Sequence, residues 1–158
     1  MVKIGNKVPN LSATTNGGKT IKLGEYAAAG KFVVVYFYPK DNTTGCTREA
    51  QDFRDAAAKF AKRNAVVIGV SRDSVKSHDG FAAKHDLPFD LVSDADETWC
   101  RAFDVIHDKV LYGRHYLGVV RSTFLIGPDG RLQREWRNVK VPGHVAAVLE
   151  AIDAGQDA

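Results

Sequence analysis

The chain has 158 residues, 44% of them hydrophobic and 26% charged, with a net charge of +3 at neutral pH. That length suits one domain with a full core, and the balance is that of an ordinary soluble globular protein. The basic residues are dispersed, so neither nucleic acid nor a membrane surface is expected as a partner. Apolar runs such as residues 32–38 are far too short to cross a bilayer. The opening Met1-Val2-Lys3-Ile4-Gly5-Asn6-Lys7 lacks the apolar stretch of a signal peptide, so a cytoplasmic location is expected. Without a secretory signal the sequon Asn42-Thr43-Thr44 carries no weight.

In chain order, Asn16-Gly17-Gly18 is a turn signal, and Thr20-Ile21-Lys22-Leu23 after it reads as a hairpin or edge strand. Gly18-Lys19-Thr20 resembles the end of a phosphate-binding loop. The first glycine of that motif would fall on Ala13, and no buried strand precedes it, so the motif is excluded. Residues 32–38 form a continuous apolar run, the pattern of a strand buried on both faces, and Pro39 ends it. Ala50, Phe53, Ala57 and Phe60 then mark one apolar helix face, with Asn42, Thr43 and Thr44 as candidate N-caps. Residues 65–70 predict a second buried strand. Asp73 or Ser74 is placed to cap a helix reaching about His85. Residues 87–92 read as a short strand whose Pro88 suits an edge or a strand start. Ser93-Asp94-Ala95-Asp96 is expected to cap a short helix through Phe103, part of an inserted helical region. Residues 123–126 form another strand, joined through the turn Gly127-Pro128-Asp129-Gly130 to a strand near residues 131–136. A last helix follows Pro142 and runs to about Ile152.

Right-handed crossovers place the first two buried strands parallel, and the final hairpin adds antiparallel ones. The expectation is an α/β protein of thioredoxin-like arrangement. A mixed sheet carries helices on both faces and an N-terminal hairpin extension, in a single domain over residues 1–158.

Chemistry concentrates in Pro39-Lys40-Asp41-Asn42-Thr43-Thr44-Gly45-Cys46-Thr47-Arg48-Glu49. Cys46 falls at the start of a helix beyond a buried strand, where open α/β sheets place their sites. First-turn N–H groups lack intrahelical partners and carry partial positive charge, so a thiolate there is stabilised. A packed structural cysteine is the other reading, but small and polar neighbours such as Thr43, Gly45 and Thr47 argue for a nucleophile. Arg121, at the start of a buried strand, is either a strand-end cation reaching solvent or a partner of Cys46 that binds substrate oxygens. Glu49 follows Cys46 by one helical turn, as a solvated first-turn carboxylate or as the group that orients such an arginine. Thr43 is placed to cap the helix, to contact sulfur and ligand, or both. The second cysteine, Cys100, lies in a short amphipathic helix. Two cysteines are too few for a disulfide scaffold or a four-cysteine zinc site, and no Cys-x-x-Cys occurs. The five histidines form no metal-binding spacing.

Pro39-x-x-x-Thr43-x-x-Cys46 resembles the active-site signature of the peroxiredoxins. The fuller string from Phe37 to Thr47 is similar to the bacterioferritin comigratory protein, or peroxiredoxin Q, subfamily. Gly69-Val70-Ser71-Arg72-Asp73-Ser74, Arg121-Ser122-Thr123-Phe124 and Val139-Lys140-Val141-Pro142-Gly143-His144 extend the likeness along nearly the whole chain. The resemblance implies that Cys46 is the peroxidatic cysteine, that Thr43 and Arg121 bind the peroxide, that Pro39 shields the sulfenic acid, and that Glu49 supports the arginine. It also implies no metal, haem or flavin cofactor. The implied partners are a hydroperoxide and a thiol reductant such as thioredoxin, glutaredoxin or a small thiol, with the protein a monomer or weak dimer. Two departures stand out. Thr44 replaces a frequent proline. The positions where members carry a resolving cysteine hold Gln51 and the stretch Phe81-Ala82-Ala83 instead. A one-cysteine peroxidase resolved by an external thiol is therefore expected, with an internal Cys46–Cys100 disulfide as its alternative. Of the rivals, a cysteine hydrolase needs a histidine base that no motif nominates. A redox sensor or holdase would use the same cysteine without turnover.

Overall fold

The computed structural model describes residues 2–156. Strand β1 (Ser12–Thr15) turns through Asn16-Gly17-Gly18 into β2 (Thr20–Lys22), followed by a short helix α1 (Gly24–Ala28). Strand β3 (Phe32–Phe37), helices α2 (Thr44–Asp55) and α3 (Ala57–Lys62) and strand β4 (Ala65–Ser71) form the first crossover unit. Helix α4 (Val75–His85), strand β5 (Asp90–Ser93) and helix α5 (Thr98–Ala102) follow. A hairpin of β6 (Ile106–Leu111) and β7 (Arg114–Val119) leads into β8 (Ser122–Ile126), β9 (Leu132–Arg137) and helix α6 (His144–Gln156).

Seven strands make one sheet in the order β2-β1-β5-β4-β3-β8-β9. β3 pairs parallel with β4 and antiparallel with β8. The thioredoxin-like expectation thus holds for the central sheet. Every residue of β3 is buried, as its unbroken apolar run requires of a central strand. Alternation splits the strand between two cores. Val34 and Tyr36 pack with Tyr38, Cys46 and Phe53 on one face. Val33, Val35 and Phe37 pack with Trp99, Cys100 and Phe103 on the other.

Three local readings need correction. The apolar face through Phe60 belongs to two helices, divided at Ala56, whose N–H reaches both Asp52 (3.3 Å) and Phe53 (3.2 Å) carbonyls. Strand β5 starts two residues beyond Pro88 and lies inside the sheet between β1 and β4, not at an edge. The N-terminal hairpin is present as expected, β1 pairing with β2, and it extends the central sheet through the pairing of β1 with β5. The region after α5 is not helical. It holds the β6–β7 hairpin, which among the described residues forms a two-stranded sheet of its own. Its turn uses Tyr112 and Gly113, both at positive φ (51° and 75°), the geometry of a two-residue hairpin loop. Its charged, largely exposed strands carry no clean alternation, which is why the sequence pattern conceals them. No helix among the described residues is long and apolar enough to cross a membrane.

Candidate active site

β3 delivers the chain to the C-terminal edge of the parallel pair, and α2 begins there. Thr43 has the extended N-cap conformation (φ −82°, ψ 154°), and Cys46 sits in the first turn of α2. Thr43 does not cap with its side chain. Its exposed hydroxyl instead donates to the Lys40 carbonyl at 2.9 Å, which closes the loop before the helix. Pro39, half-buried, makes the bend out of the sheet. Cys46 itself is only 1% exposed.

Arg121 lies in the two-residue link between β7 and β8, next to β3 in the sheet. Its Nη2 is 3.4 Å from Cys46 Sγ, and its Nη1 donates to Glu49 Oε1 at 2.8 Å. One guanidinium therefore bridges the two residues that a single helical turn of α2 carries. Gly45 leaves room for the approach, since a Cβ there would stand a tight 3.1 Å from Nη2. The solvent-facing reading of Arg121 and the solvated reading of Glu49 both fall, with side-chain exposures of 17% and 1%.

The electrostatics follow from burial. Among the described residues, Glu49 Oε2 has no hydrogen-bond partner. Burial raises the Glu49 pKa to about 7, and the charge and hydrogen bond of Arg121 offset only part of that rise. Arg121, less buried and facing both Glu49 and Cys46, keeps its proton more firmly than usual despite its own desolvation. Burial and the nearby Arg121 charge lower the His144 pKa to about 4, and His144 Nε2 pairs with Thr123 Oγ1 at 2.7 Å rather than with Cys46. A histidine–cysteine pair of the hydrolase kind is absent among the described residues.

A pH test follows for Glu49. Its folded pKa stands above the ordinary 4.5, so the folded state holds the proton more tightly than the unfolded chain. Its favourable contribution is complete below pH 4.5 and is lost as pH rises through about 7. Against Glu49→Gln, the wild type is expected to lose on the order of 3 kcal/mol of stability across that window, as denaturant titrations at several pH values would read. A constant difference between the two proteins would place the carboxyl outside this low-dielectric setting.

Cys100 belongs to the other core. It is fully buried, and burial, then the adjacent Asp94, push its thiol well up. Asp94 accepts hydrogen bonds from the Trp99 (3.0 Å) and Cys100 (2.8 Å) backbone N–H groups and so caps α5 as expected. The central sheet separates Cys100 from Cys46.

Fold and site together define a class: thioredoxin-like proteins with a cysteine at the helix entrance held by a buried arginine–glutamate pair. Comparison with known proteins narrows it. The AhpC/TSA family profile matches residues 4–135. Peroxiredoxin Bcp of Xanthomonas campestris is 52% identical over 145 residues, covering 92% of this chain and 89% of the relative. Peroxiredoxin Bcp of Bacillus subtilis is 50% identical over 151 residues, covering 96% and 95%. Among solved structures, the X. campestris bacterioferritin comigratory protein, studied for alkyl peroxide reduction with a trapped intermediate, superposes with a TM-score of 0.89 at 48% identity, covering 98% of each chain. The Xylella fastidiosa PrxQ Cys-to-Ser mutant superposes at 0.92 with 44% identity, covering 99% of this chain and 98% of its own. The chain belongs to the AhpC/TSA family, within the Bcp/PrxQ peroxiredoxins, and is a peroxidase.

Proposed function

We propose that the chain reduces hydrogen peroxide and organic hydroperoxides through a Cys46 sulfenic acid that an external thiol resolves. The contact of Arg121 with both Cys46 and Glu49 carries the first half of this reading. The Cys46 thiolate attacks the terminal oxygen of the hydroperoxide. An S–O bond forms as the O–O bond breaks, the alcohol or water leaves with a proton, and Cys46 becomes a sulfenic acid. Arg121 and the free N–H groups of the first turn of α2 face the charge that develops on the leaving oxygen. The Thr43 hydroxyl spends its proton on Lys40 and keeps lone pairs to accept from the hydroperoxide O–H. Pro39, with no N–H of its own, shields the site from water. A thiol then condenses with the sulfenic acid, releasing water, and a second thiol frees Cys46 as the reductant leaves oxidised.

The second half rests on the two cysteines lying in separate cores. A disulfide needs Cα atoms within about 7 Å, and the sheet stands between these two. The raised Cys100 pKa opposes it further, since the thiolate is the attacking species. The alkyl peroxide reduction studied in the X. campestris relative supports organic hydroperoxides as substrates. The reading places the protein in the cytoplasm as a monomer or weak dimer, where thioredoxin, glutaredoxin and small thiols are kept reduced.

The test is intact mass after one equivalent of hydrogen peroxide with a sulfenic-acid trap present. A trap adduct on Cys46 in both wild type and Cys100→Ser supports the reading, and Cys100→Ser is expected to retain turnover with a small dithiol within about twofold. A two-hydrogen loss without adduct, in wild type alone, would instead assign resolution to Cys100.

A further inference from the structure

The buried and half-buried charges around the site are matched, with one exception. Arg121 is taken by Glu49, and Arg72, just past the end of β4, by Glu97 at 3.0 Å. Behind the 39–45 loop, buried Asp41 stands 2.7 Å from buried His78. On the β6–β7 hairpin, Asp108 pairs with His115 at 2.9 Å. Lys109 is the exception. It is half-buried between exposed Asp108 and Val110, and among the described residues no carboxylate lies within ion-pair distance of its Nζ. Nζ donates to the Val119 carbonyl at 2.9 Å, which uses one of the three protons of an ammonium.

The hairpin brings this cation to Cys46. Lys109 lies opposite Tyr116, and its stem crosses Gly118, where a Cβ would stand 2.8 Å from Lys109 Cδ. Gly118 thus leaves room for Nζ to reach Val119, two residues before Arg121. Partial burial and then the Arg121 charge hold the Lys109 pKa below the usual ammonium range, Cys46 acts to raise it, and Arg72 lowers it again. Cations from three elements therefore converge beside one sulfur, and a partly desolvated cation without an anion is costly. Arg121 and the first turn of α2 already face the hydroperoxide oxygens in the reading above. Resolution is the step without a recognising group, because a small thiol arriving from solution has no tether to the protein. We propose that Lys109 binds the carboxylate of a small anionic thiol and directs that thiol to the Cys46 sulfenic acid. The S–S bond forms as the S–O bond of the sulfenic acid breaks, and the hydroxyl leaves as water with the thiol proton. Lys109 is a specificity-determining residue that exchanges no bond itself, and its role rests on the external-thiol reading above.

The experiment starts from the preformed sulfenic acid of wild type, Lys109→Met and Lys109→Arg. Each is mixed with mercaptopropionate or with mercaptoethanol, thiols that differ in the carboxylate, and the mixed disulfide is followed by rapid quench and mass spectrometry. Methionine keeps an apolar stem over Gly118 and removes only the charge, and arginine keeps the charge. The quantity read is the ratio of the two rates, which cancels the intrinsic reactivity of each thiol and any change at Cys46 common to both. The preference for mercaptopropionate is expected to fall about tenfold in Lys109→Met, the order that one charge-assisted hydrogen bond supplies, and to stay within about twofold of wild type in Lys109→Arg. Added salt should shrink the preference in wild type and leave it unmoved in Lys109→Met. The same ratio in wild type and Lys109→Met, whether or not both rates fall, would overturn the proposal and leave Lys109 a structural role. A wild-type sulfenic acid that passes into an internal disulfide before either thiol reacts would instead sink the external-thiol reading, and the carboxylate site with it.

Discussion

Cys46→Ser is expected to lower hydroperoxide turnover by at least about a thousandfold, which is about 4 kcal/mol of barrier. A serine hydroxyl remains protonated at neutral pH, and among the described residues no histidine pairs with position 46 to activate it, His144 being paired to Thr123. The fold should survive. The exchange of sulfur for oxygen is nearly isosteric, and Arg121 Nη2, 3.4 Å from the present sulfur, is placed to donate to the new oxygen. A stability change within about 1 kcal/mol follows from that retained hydrogen bond. Peroxide consumption with excess dithiol and a denaturation curve on the same preparation separate the two effects. Turnover retained in a folded Cys46→Ser protein would remove the cysteine from the chemistry altogether. A sensor or holdase is distinguished by the wild type, because it is oxidised once whereas an enzyme consumes many equivalents.

The residues that make this site were unevenly legible. Cys46 was the clearest, because local signals suffice: an apolar strand, a proline and a run of small polar residues place a cysteine in a first helical turn. Glu49 followed from the helical repeat. Its burial did not, since a carboxylate in a first turn is ordinarily solvated, and the ion pair with Arg121, which packs close to Gly45, offsets part of the cost of that burial. Arg121 is 75 residues from Cys46, and no periodicity links them, so the residues alone leave solvent and Cys46 as alternatives for it, and the resemblance favours the pairing. The Asp41–His78 pair, 37 residues apart, had no signal at all. A histidine on a polar helix and an aspartate in a turn read as surface residues, and long-range packing alone reveals that they share a buried bond. The β6–β7 hairpin was missed for the converse reason. With exposed strands such as Asp108, Val110 and Leu117, no core imposes an alternation that a pattern can detect. Sequence thus shows the elements that face the sheet, and conceals those whose partners are distant or whose neighbour is water.

Arg121→Ala carries the second large effect. Peroxide attack on Cys46 is expected to slow by about 100- to 1000-fold, the range for losing one preorganised donor to developing charge. Stability should fall too, because Glu49 would remain buried with both oxygens unpartnered, and breaking a buried pair from one side costs about 3–5 kcal/mol. Part of that cost is relieved by protonating Glu49, whose pKa is already raised to about 7. The double variant Arg121→Ala, Glu49→Gln separates the two roles. It removes the orphaned charge and should recover most of the lost stability while leaving the slow rate of attack unchanged. Arg121→Lys provides a third point. A single ammonium cannot reach Glu49 and Cys46 along two parallel donors, so it should preserve one contact at the expense of the other. Rapid-mixing rates with hydrogen peroxide, set beside unfolding free energies for all three proteins, decide the matter. If the double variant regains the wild-type rate with its stability, the arginine serves only to neutralise a buried carboxylate. If stability returns and the rate does not, the guanidinium acts on the reacting atoms, and Glu49 serves to aim it.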